Sequence, residues 1–103
     1  MTLQEFETVI KAADPSATHY AGTGKSNYTR WREYGESSLH GGNMRQERVL
    51  RIQVDRFTKL ESDPVVAAID AALERDDIAI RDHLIDFEPD TGYIHHIWDC
   101  EVA

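Results

Sequence analysis

Residues 49–57 alternate apolar and polar side chains more regularly than any other part of the chain. The alternating positions separate into two sets, Leu50, Ile52 and Val54 against Arg51, Gln53 and Asp55. Because successive side chains of a strand point to opposite faces, this pattern predicts a strand with one face in a core. One-sided strands are typical of antiparallel sheets, whereas strands of a parallel sheet are covered on both faces. The segment therefore predicts an antiparallel sheet that is covered on one side.

Two segments combine a helix start signal with apolar residues at helical spacing. Thr2 and Glu5 match the capping box, and Pro15 closes this first helix. Residues 62–64 give a cap followed by proline at the first helical position, and this second helix is expected to end near Asp76. The two apolar stripes are Leu3, Phe6, Val9, Ile10 and Ala13, then Val65, Ile69, Ala72 and Leu73. Both helices are expected to cover the same face of the sheet.

The rest of the chain is assigned to further strands and one long loop. The predicted strands are a short one at 18–21, then 27–34, 78–87 and 93–102, and the polar loop spans 36–43. We expect this loop to be mobile in an isolated subunit. No strand-helix-strand alternation is repeated, so the predicted fold is α+β, in the order α-β-β-β-α-β-β, within a single domain 1–103. The expected core contains Phe6, Ile10, Ile52, Val54, Ile69, Leu73 and Trp98.

The alternation in the last predicted strand also indicates which of its side chains face the core. Its core-facing side chains are expected to be Ile94, His96, Trp98, Cys100 and Val102. The single cysteine, Cys100, has no partner for an internal disulfide and is interpreted as a small buried side chain.

Residues 22–26 resemble the end of a nucleotide-binding P-loop, but the match fails. The first glycine of that motif falls on His19, and a strand pattern follows where the motif requires a helix N-terminus. A turn is the better interpretation, and no cofactor is predicted.

Histidines and carboxylates suggest a metal or catalytic site by residue type alone. His96 and Cys100 would stand about 13 Å apart along a strand, and recruiting His83 supplies two ligands without an obvious third. The loop residues Ser37, Ser38 and His40 have no fixed geometry for nucleophilic catalysis. The carboxylates Asp76, Asp77, Asp82 and Asp86 are interpreted as a solvated face. We therefore predict no catalytic residue and no metal ligand, and we expect that the protein is not an enzyme.

Charge is distributed unevenly along the chain. The net charge is −8, yet residues 25–59 hold eight basic and four acidic side chains, which leaves +4 there and −12 in the remainder. The overall sign argues against nucleic acid as the partner of the whole chain, because phosphate neutralisation needs a basic face. Such polarity suits copies that stack basic side to acidic side, although two solvated faces without a partner explain it equally well. A second alternative is a nucleic-acid-binding or regulatory module that uses Arg30, Arg32, Arg45, Arg48 and Arg51.

Nothing in the sequence predicts a membrane segment. No apolar run approaches the ~20 residues that span a bilayer, and the first residues lack the features of a signal peptide. A cytoplasmic origin is the expectation.

Three segments, considered together, resemble one protein family. NYTRWREYGE at 27–36, RVLRIQVDRFTK at 48–59 and DFEPDTGYIHH at 86–96 look like parts of tail-completion, or tail-terminator, proteins of long-tailed bacteriophages and prophages. The resemblance covers most of residues 27–102. It implies a structural protein of the virion, assembled in the host cytoplasm, that forms a homo-oligomeric ring, usually a hexamer. Such a ring caps the tail tube and joins it to the head connector.

The implied partners are other copies of the chain, the tail tube protein and the head-tail connector protein, with no membrane and no specific nucleic acid. The candidate subunit interface consists of Arg30, Trp31, Arg48 and Arg51. A tail terminator and a neighbouring head-tail joining protein both remain open as roles.

Overall fold

The computed structural model describes residues 1–23, 26–41 and 44–103, and for residues 37–41 and 44–48 it describes the backbone alone. The elements are α1 (Leu3–Ala13), β1 (Thr18–His19), β2 (Tyr28–Gly41), β3 (Met44–Thr58), α2 (Pro64–Ala72), β4 (Ile78–Glu88) and β5 (Tyr93–Val102). One sheet contains all five strands in the order β1-β2-β3-β5-β4. Among the strands of the described residues, the two-residue β1 pairs in parallel with β2, and the other pairings are antiparallel. The predicted α+β class and element order are confirmed.

Both helices begin at the residues that the sequence predicts. The Glu5 N–H donates to Thr2 Oγ1 at 3.0 Å and the Thr2 N–H donates to Glu5 Oε1 at 3.1 Å, which completes the capping box. At α2 the Val65 N–H donates to Asp63 Oδ1 at 3.0 Å. The predicted end of α2 near Asp76 is wrong, because the helix stops at Ala72. A tight turn follows, in which the Arg75 N–H donates to the Leu73 carbonyl, and it leads the chain into β4.

The core lies between the two helices and one face of the sheet. All seven predicted core residues are buried: Phe6, Ile10, Ile52, Val54, Ile69, Leu73 and Trp98. Trp31, Val54 and Trp98 stand opposite one another across three strands, so they form one row beneath the helices. Cys100 is buried in the same core, where burial raises the pKa of its thiol to about 12. The predicted register of β3 and the inward face of β5 are confirmed, since His96 and Val102 are buried and Ile94 is half-buried.

The long loop predicted at 36–43 is wrong for residues 36–41, which continue β2 as a strand paired with β3. The pairing runs as far as Gly41 opposite Met44, and residues 42 and 43 lie outside the described chain. β5 pairs with β3 only from Leu50 to Thr58, so residues 37–41 and 44–49 extend past the third strand as a two-stranded arm. The arm contributes to a long molecule, with a greatest dimension of 49 Å against 25 and 22 Å. Its mobility stays a prediction.

None of the helices in the described chain has the length and apolar character needed to cross a membrane.

Candidate interaction surfaces

β4 forms one edge of the sheet, and all of its residues except Ile78 and Glu88 are exposed. It pairs with β5 on one side, and no strand among the described residues pairs with its other side. Four large apolar side chains project from it, with exposed fractions of 39% at Ile80, 54% at Leu84, 64% at Ile85 and 58% at Phe87. We call these four residues the β4 strip. An edge strand with free backbone groups and apolar side chains is a template for pairing with another chain, and proteins that work alone usually blunt such edges.

The β4 strip has a helix side and an open side. Ile80, Ile85 and Phe87 stand opposite residues of β5 that face the helices, so they lie on the helix side. Leu84 stands opposite Ile97 on the open side, where Asp82 and Asp86 flank it, two residues away on either side. On the helix side the edge is therefore mainly apolar. On the open side it presents Leu84 between two aspartates.

At the other edge of the sheet, three aromatic rings stack in a column. The Trp31 ring lies in the core, the His19 ring stacks on it at 3.9 Å between centroids, and the Tyr20 ring stacks on His19 at 4.2 Å. We call Trp31, His19 and Tyr20 the aromatic column. Its outer ring, Tyr20, is 52% exposed. β1 pairs only with Arg30 and Trp31 of β2, so the column marks the place where this short strand ends.

Tyr20 is held in an uncommon backbone conformation by several contacts. Its φ of 70° lies in the left-handed region, which bulky residues rarely adopt. The Tyr20 N–H donates to the Trp31 carbonyl at 2.8 Å, and the Tyr20 hydroxyl donates to Glu33 Oε1. Glu33 Oε2 lies 2.6 Å from His19 Nε2, so one carboxylate fixes both outer rings. The outer rings of the column are therefore held in place by contacts within the chain itself.

Hydrogen bonding within the aromatic column also shifts two pKa values. Burial alone raises the pKa of Glu33, but the hydrogen bonds from Tyr20 and His19 outweigh it, so this pKa is lowered overall. The hydrogen bond to Glu33 raises the pKa of Tyr20. Glu33 therefore stays ionised and Tyr20 protonated at neutral pH, the states that the contact requires.

The open face of the sheet contains a compact polar cluster around Asp55, which has no exposed surface. His95 Nε2 lies 2.8 Å from Asp55 Oδ1, Gln53 Nε2 donates to the same oxygen at 2.9 Å, and Arg30 Nε donates to Oδ2 at 3.2 Å. The Phe57 ring stacks on His95 at 4.0 Å. Burial raises the pKa of Asp55, but hydrogen bonds from His95 and Gln53, the charge of His95 and the bond from Arg30 outweigh it, so the pKa is lowered. These groups satisfy one another, which is the chemistry of a structural cluster.

The histidines suggested as metal ligands separate onto two faces. His95 points to Asp55 on the open face, whereas His96 lies under the helices with its Nδ1 3.2 Å from His83 Nε2. Burial, and then the neighbouring charge of His83, lowers the pKa of His96. Asp70 accepts from Trp98 Nε1 at 2.7 Å beside this pair. Within the part of the chain that the structure describes, no group of three or more His, Cys, Asp or Glu is placed to hold a metal ion.

The four candidate interface residues have different environments. The Arg30 guanidinium is bonded to Asp55 and lies over the Phe57 ring at 5.1 Å. Trp31 is 1% exposed and packs against Phe6, so its side chain presents no surface to a neighbouring subunit. The Arg51 guanidinium lies over the Tyr34 ring at 5.2 Å and is half-buried. The side chain of Arg48 lies outside the described residues, as do those of Ser37, Ser38 and His40, and Gly24 and Lys25 lie outside them entirely.

Sequence reasoning missed both edge surfaces. The apolar residues of the β4 strip are visible in the sequence, but they occupy positions of both parities, and only the strand order shows that they remain uncovered. The aromatic column joins residues from two segments, and nothing in the sequence indicates the left-handed conformation of Tyr20. A histidine and a tyrosine just before the glycines of residues 22–24 are the only local signal.

The sequence matches no protein-family model, and no curated protein matches it at a significant level.

Proposed function

We propose that this chain is a non-enzymatic assembly subunit that forms a ring, of the tail-completion type suggested by its resemblance to phage tail terminators. In this role it caps a tail tube and joins the tube to the head connector. The observation that carries the proposal is the β4 strip, a long edge strand with large exposed apolar side chains. Such an edge exposes a monomeric protein to aggregation, because its free backbone groups can pair with other chains. A specific partner chain that pairs with the edge prevents this.

The distribution of charge between the two hairpins supports association through unlike surfaces. The β2–β3 hairpin, residues 28–58, holds six basic and four acidic residues, whereas the β4–β5 hairpin, residues 78–102, holds one basic and six acidic residues. These hairpins form opposite sides of the sheet. A ring requires heterologous contacts, in which two different surfaces of each subunit meet, and opposite charges on the two sides favour that arrangement.

The rival function, a nucleic-acid-binding module, would use the basic residues of β2 and β3. Arg30 is bonded to buried Asp55, and Arg51 lies over the Tyr34 ring. Arg32 is exposed, but it also lies over the Tyr34 ring and donates to Gln53. Phosphate contacts need free cationic groups, so the geometry favours the assembly function.

The test is the mass of the purified chain across concentration, measured by sedimentation at low and high salt, alone and with tail tubes. We expect association that grows with concentration and is firmer on tail tubes, where bound copies reach a high effective concentration. A hexamer would weigh about 71 kDa, six times the 11.8 kDa of one chain. Replacing Leu84 with Lys at the exposed edge should weaken association, whereas Leu60→Ser, at a site that is also 50% exposed but outside the strands, should not.

A charge test separates the two functions further. Charge reversal of exposed Arg32 should weaken association more at low salt than at high salt, because exposed ion pairs are screened beyond about 10 Å at 0.1 M. A chain that stays monomeric at every concentration, ignores tail tubes and binds DNA with a steep salt dependence would establish the nucleic-acid module instead.

A further inference from the structure

We infer that the two edges of the sheet are the two halves of one subunit contact, in which the β4 strip of one copy packs against the aromatic column and the adjoining part of β2 of the next. This inference rests on the proposed ring function and names the surfaces that would close the ring. The partner that binds each edge is then a second copy of this chain.

Strand direction is the first argument for a second copy. β2 runs antiparallel to β3, β3 to β5, and β5 to β4, so β2 and β4 run in opposite directions. If two copies stand side by side, related by rotation about an axis along the strands, β4 of one lies antiparallel to β1 and β2 of the next, because β1 runs parallel to β2. The junction then repeats the pairing used within the subunit, and the sheet continues from copy to copy with heterologous contacts.

The second argument is that the two edges match on each face separately. A continued sheet places helix side next to helix side and open side next to open side. On the helix side Tyr20 lies level with His83, so its exposed ring would meet Ile85, two residues along β4, which places an aromatic surface against an apolar one. On the open side exposed Arg32, opposite Gln53, lies level with Asp82 and would meet it. Apolar residues thus meet apolar residues and basic residues meet acidic ones, which an unrelated partner would not be expected to reproduce.

The third argument is the rigidity of the aromatic column. The strained backbone at Tyr20 is stabilised by stacking on His19 and by the Glu33 carboxylate, yet half of the outer ring faces solvent. Strain that is maintained around an exposed side chain points to a role for that side chain. A preordered tyrosine loses little conformational entropy on binding, and tyrosine is enriched at the energetic centres of interfaces.

Two variants, each disabling one edge, test the inference in the full chain. The first carries Tyr20→Asn and Arg32→Glu, and asparagine tolerates the left-handed conformation at position 20. The second carries Ile85→Ser and Phe87→Ser on β4. Each variant alone should associate at least about 30-fold more weakly than the natural chain, the loss typical of an interface centre. The control Leu60→Ser should associate like the natural chain, and circular dichroism shows whether each variant folds.

Mixing the two variants gives the decisive readout. Each retains one intact edge, so the mixture should form a one-to-one complex of about 24 kDa, twice the 11.8 kDa of one chain, and stop there. A second pair, Arg32→Glu in one chain and Asp82→Lys with Asp86→Lys in the other, should also associate when mixed and depend on salt. This pair provides the test if the first variants do not fold.

Three outcomes would overturn the inference while leaving the ring proposal standing. In the first outcome, the Tyr20→Asn, Arg32→Glu variant associates as well as the natural chain. In the second, the Ile85→Ser, Phe87→Ser variant does so. In the third, the mixture of the two variants stays monomeric although the natural chain associates. A natural chain that is monomeric in solution and on tail tubes would instead remove the proposed function, and the inference with it.

Discussion

Residues of β3 are buried by different interactions on the two faces of the sheet. Ile52 and Val54 have no exposed surface because two helices cover them with apolar side chains. Asp55, the next residue, points to the open face, where no helix lies, and it is buried just as completely by Arg30, Gln53 and His95. Burial therefore does not identify a core in this protein. Around Ile52 and Val54 the helix side depends on packed apolar volume, whereas around Asp55 the open side depends on matched charge and hydrogen bonding.

The helix side should give the largest loss of stability, at Trp98. Trp98→Ala removes a fully buried ring and its hydrogen bond to Asp70, and we expect the free energy of unfolding to fall by about 3–5 kcal/mol. Urea unfolding followed by circular dichroism measures this loss. Trp98→Phe keeps most of the packing and should lose clearly less, and equal losses for both would show that the hydrogen bond to Asp70, rather than volume, dominates.

On the open side, substitution of Asp55 should give the next largest loss of stability. Asp55→Ala leaves Arg30, Gln53 and His95 without their shared acceptor, and we expect a loss of about 2 kcal/mol, typical of hydrogen bonds to a charged group. The matched control is Asp82→Ala on the exposed edge, which should change stability by less than about 0.5 kcal/mol. If the two aspartates gave the same result, the open-face cluster would not be a source of stability.

Acid should weaken the fold through buried carboxylates on both faces. The pKa of folded Asp55 lies below its unfolded value of about 3.9, so its stabilising contribution is complete above that pH and is lost as pH falls through the folded pKa. Asp14 and Asp63 also have lowered pKa values, since hydrogen bonds and the charge of Arg56 outweigh the effect of burial, and they act in the same direction. The natural chain should therefore weaken below about pH 4.

The variant Asp55→Ala separates the open-face share of this acid response. Between pH 5 and pH 3, as measured by urea unfolding, it should lose less stability than the natural chain, whereas Trp98→Phe should lose as much as the natural chain. An unchanged acid response in Asp55→Ala would assign the whole effect to the carboxylates on the helix side.

The smallest effect on stability should come from Leu84, a large apolar residue on the open side. It is 54% exposed, so Leu84→Lys should change the free energy of unfolding by no more than about 0.5 kcal/mol. Thermal unfolding at a concentration where the chain is monomeric gives this value. A large loss would mean that apolar packing also holds the open face, and the contrast between the two faces would then be wrong.

Much of the fold could be predicted because local chemistry and burial agree there. The capping box at Thr2, the cap and proline at residues 63–64, and the alternation at 50–55 each determine an element that the structure contains. Prediction failed where local composition and pairing disagree. Residues 36–41 are small and polar, as in a loop, but pairing with β3 makes them a strand.

The candidate surfaces were much less predictable than the elements. Trp31 is a candidate interface residue by sequence, whereas in the structure it is buried, with the His19 ring stacked on it and the Phe6 ring tilted against it. The exposed ring at that edge belongs to Tyr20, ten residues before Arg30 in the chain. Its position depends on Glu33 from a neighbouring strand, a contact that no local pattern contains.

The sequence by itself determined the α+β class, the order of the elements, the seven core residues and the division of charge, because periodicity, capping and composition are local properties of the chain. Strand order, and with it the choice of edges, was decided by tertiary structure alone, since any of several orders would bury the same apolar faces. That order leaves β4 uncovered and brings His19 and Tyr20 beside Trp31. The surfaces proposed for assembly exist only because of this arrangement. The sequence gives the residue types of these surfaces, but the strand order determines where they lie.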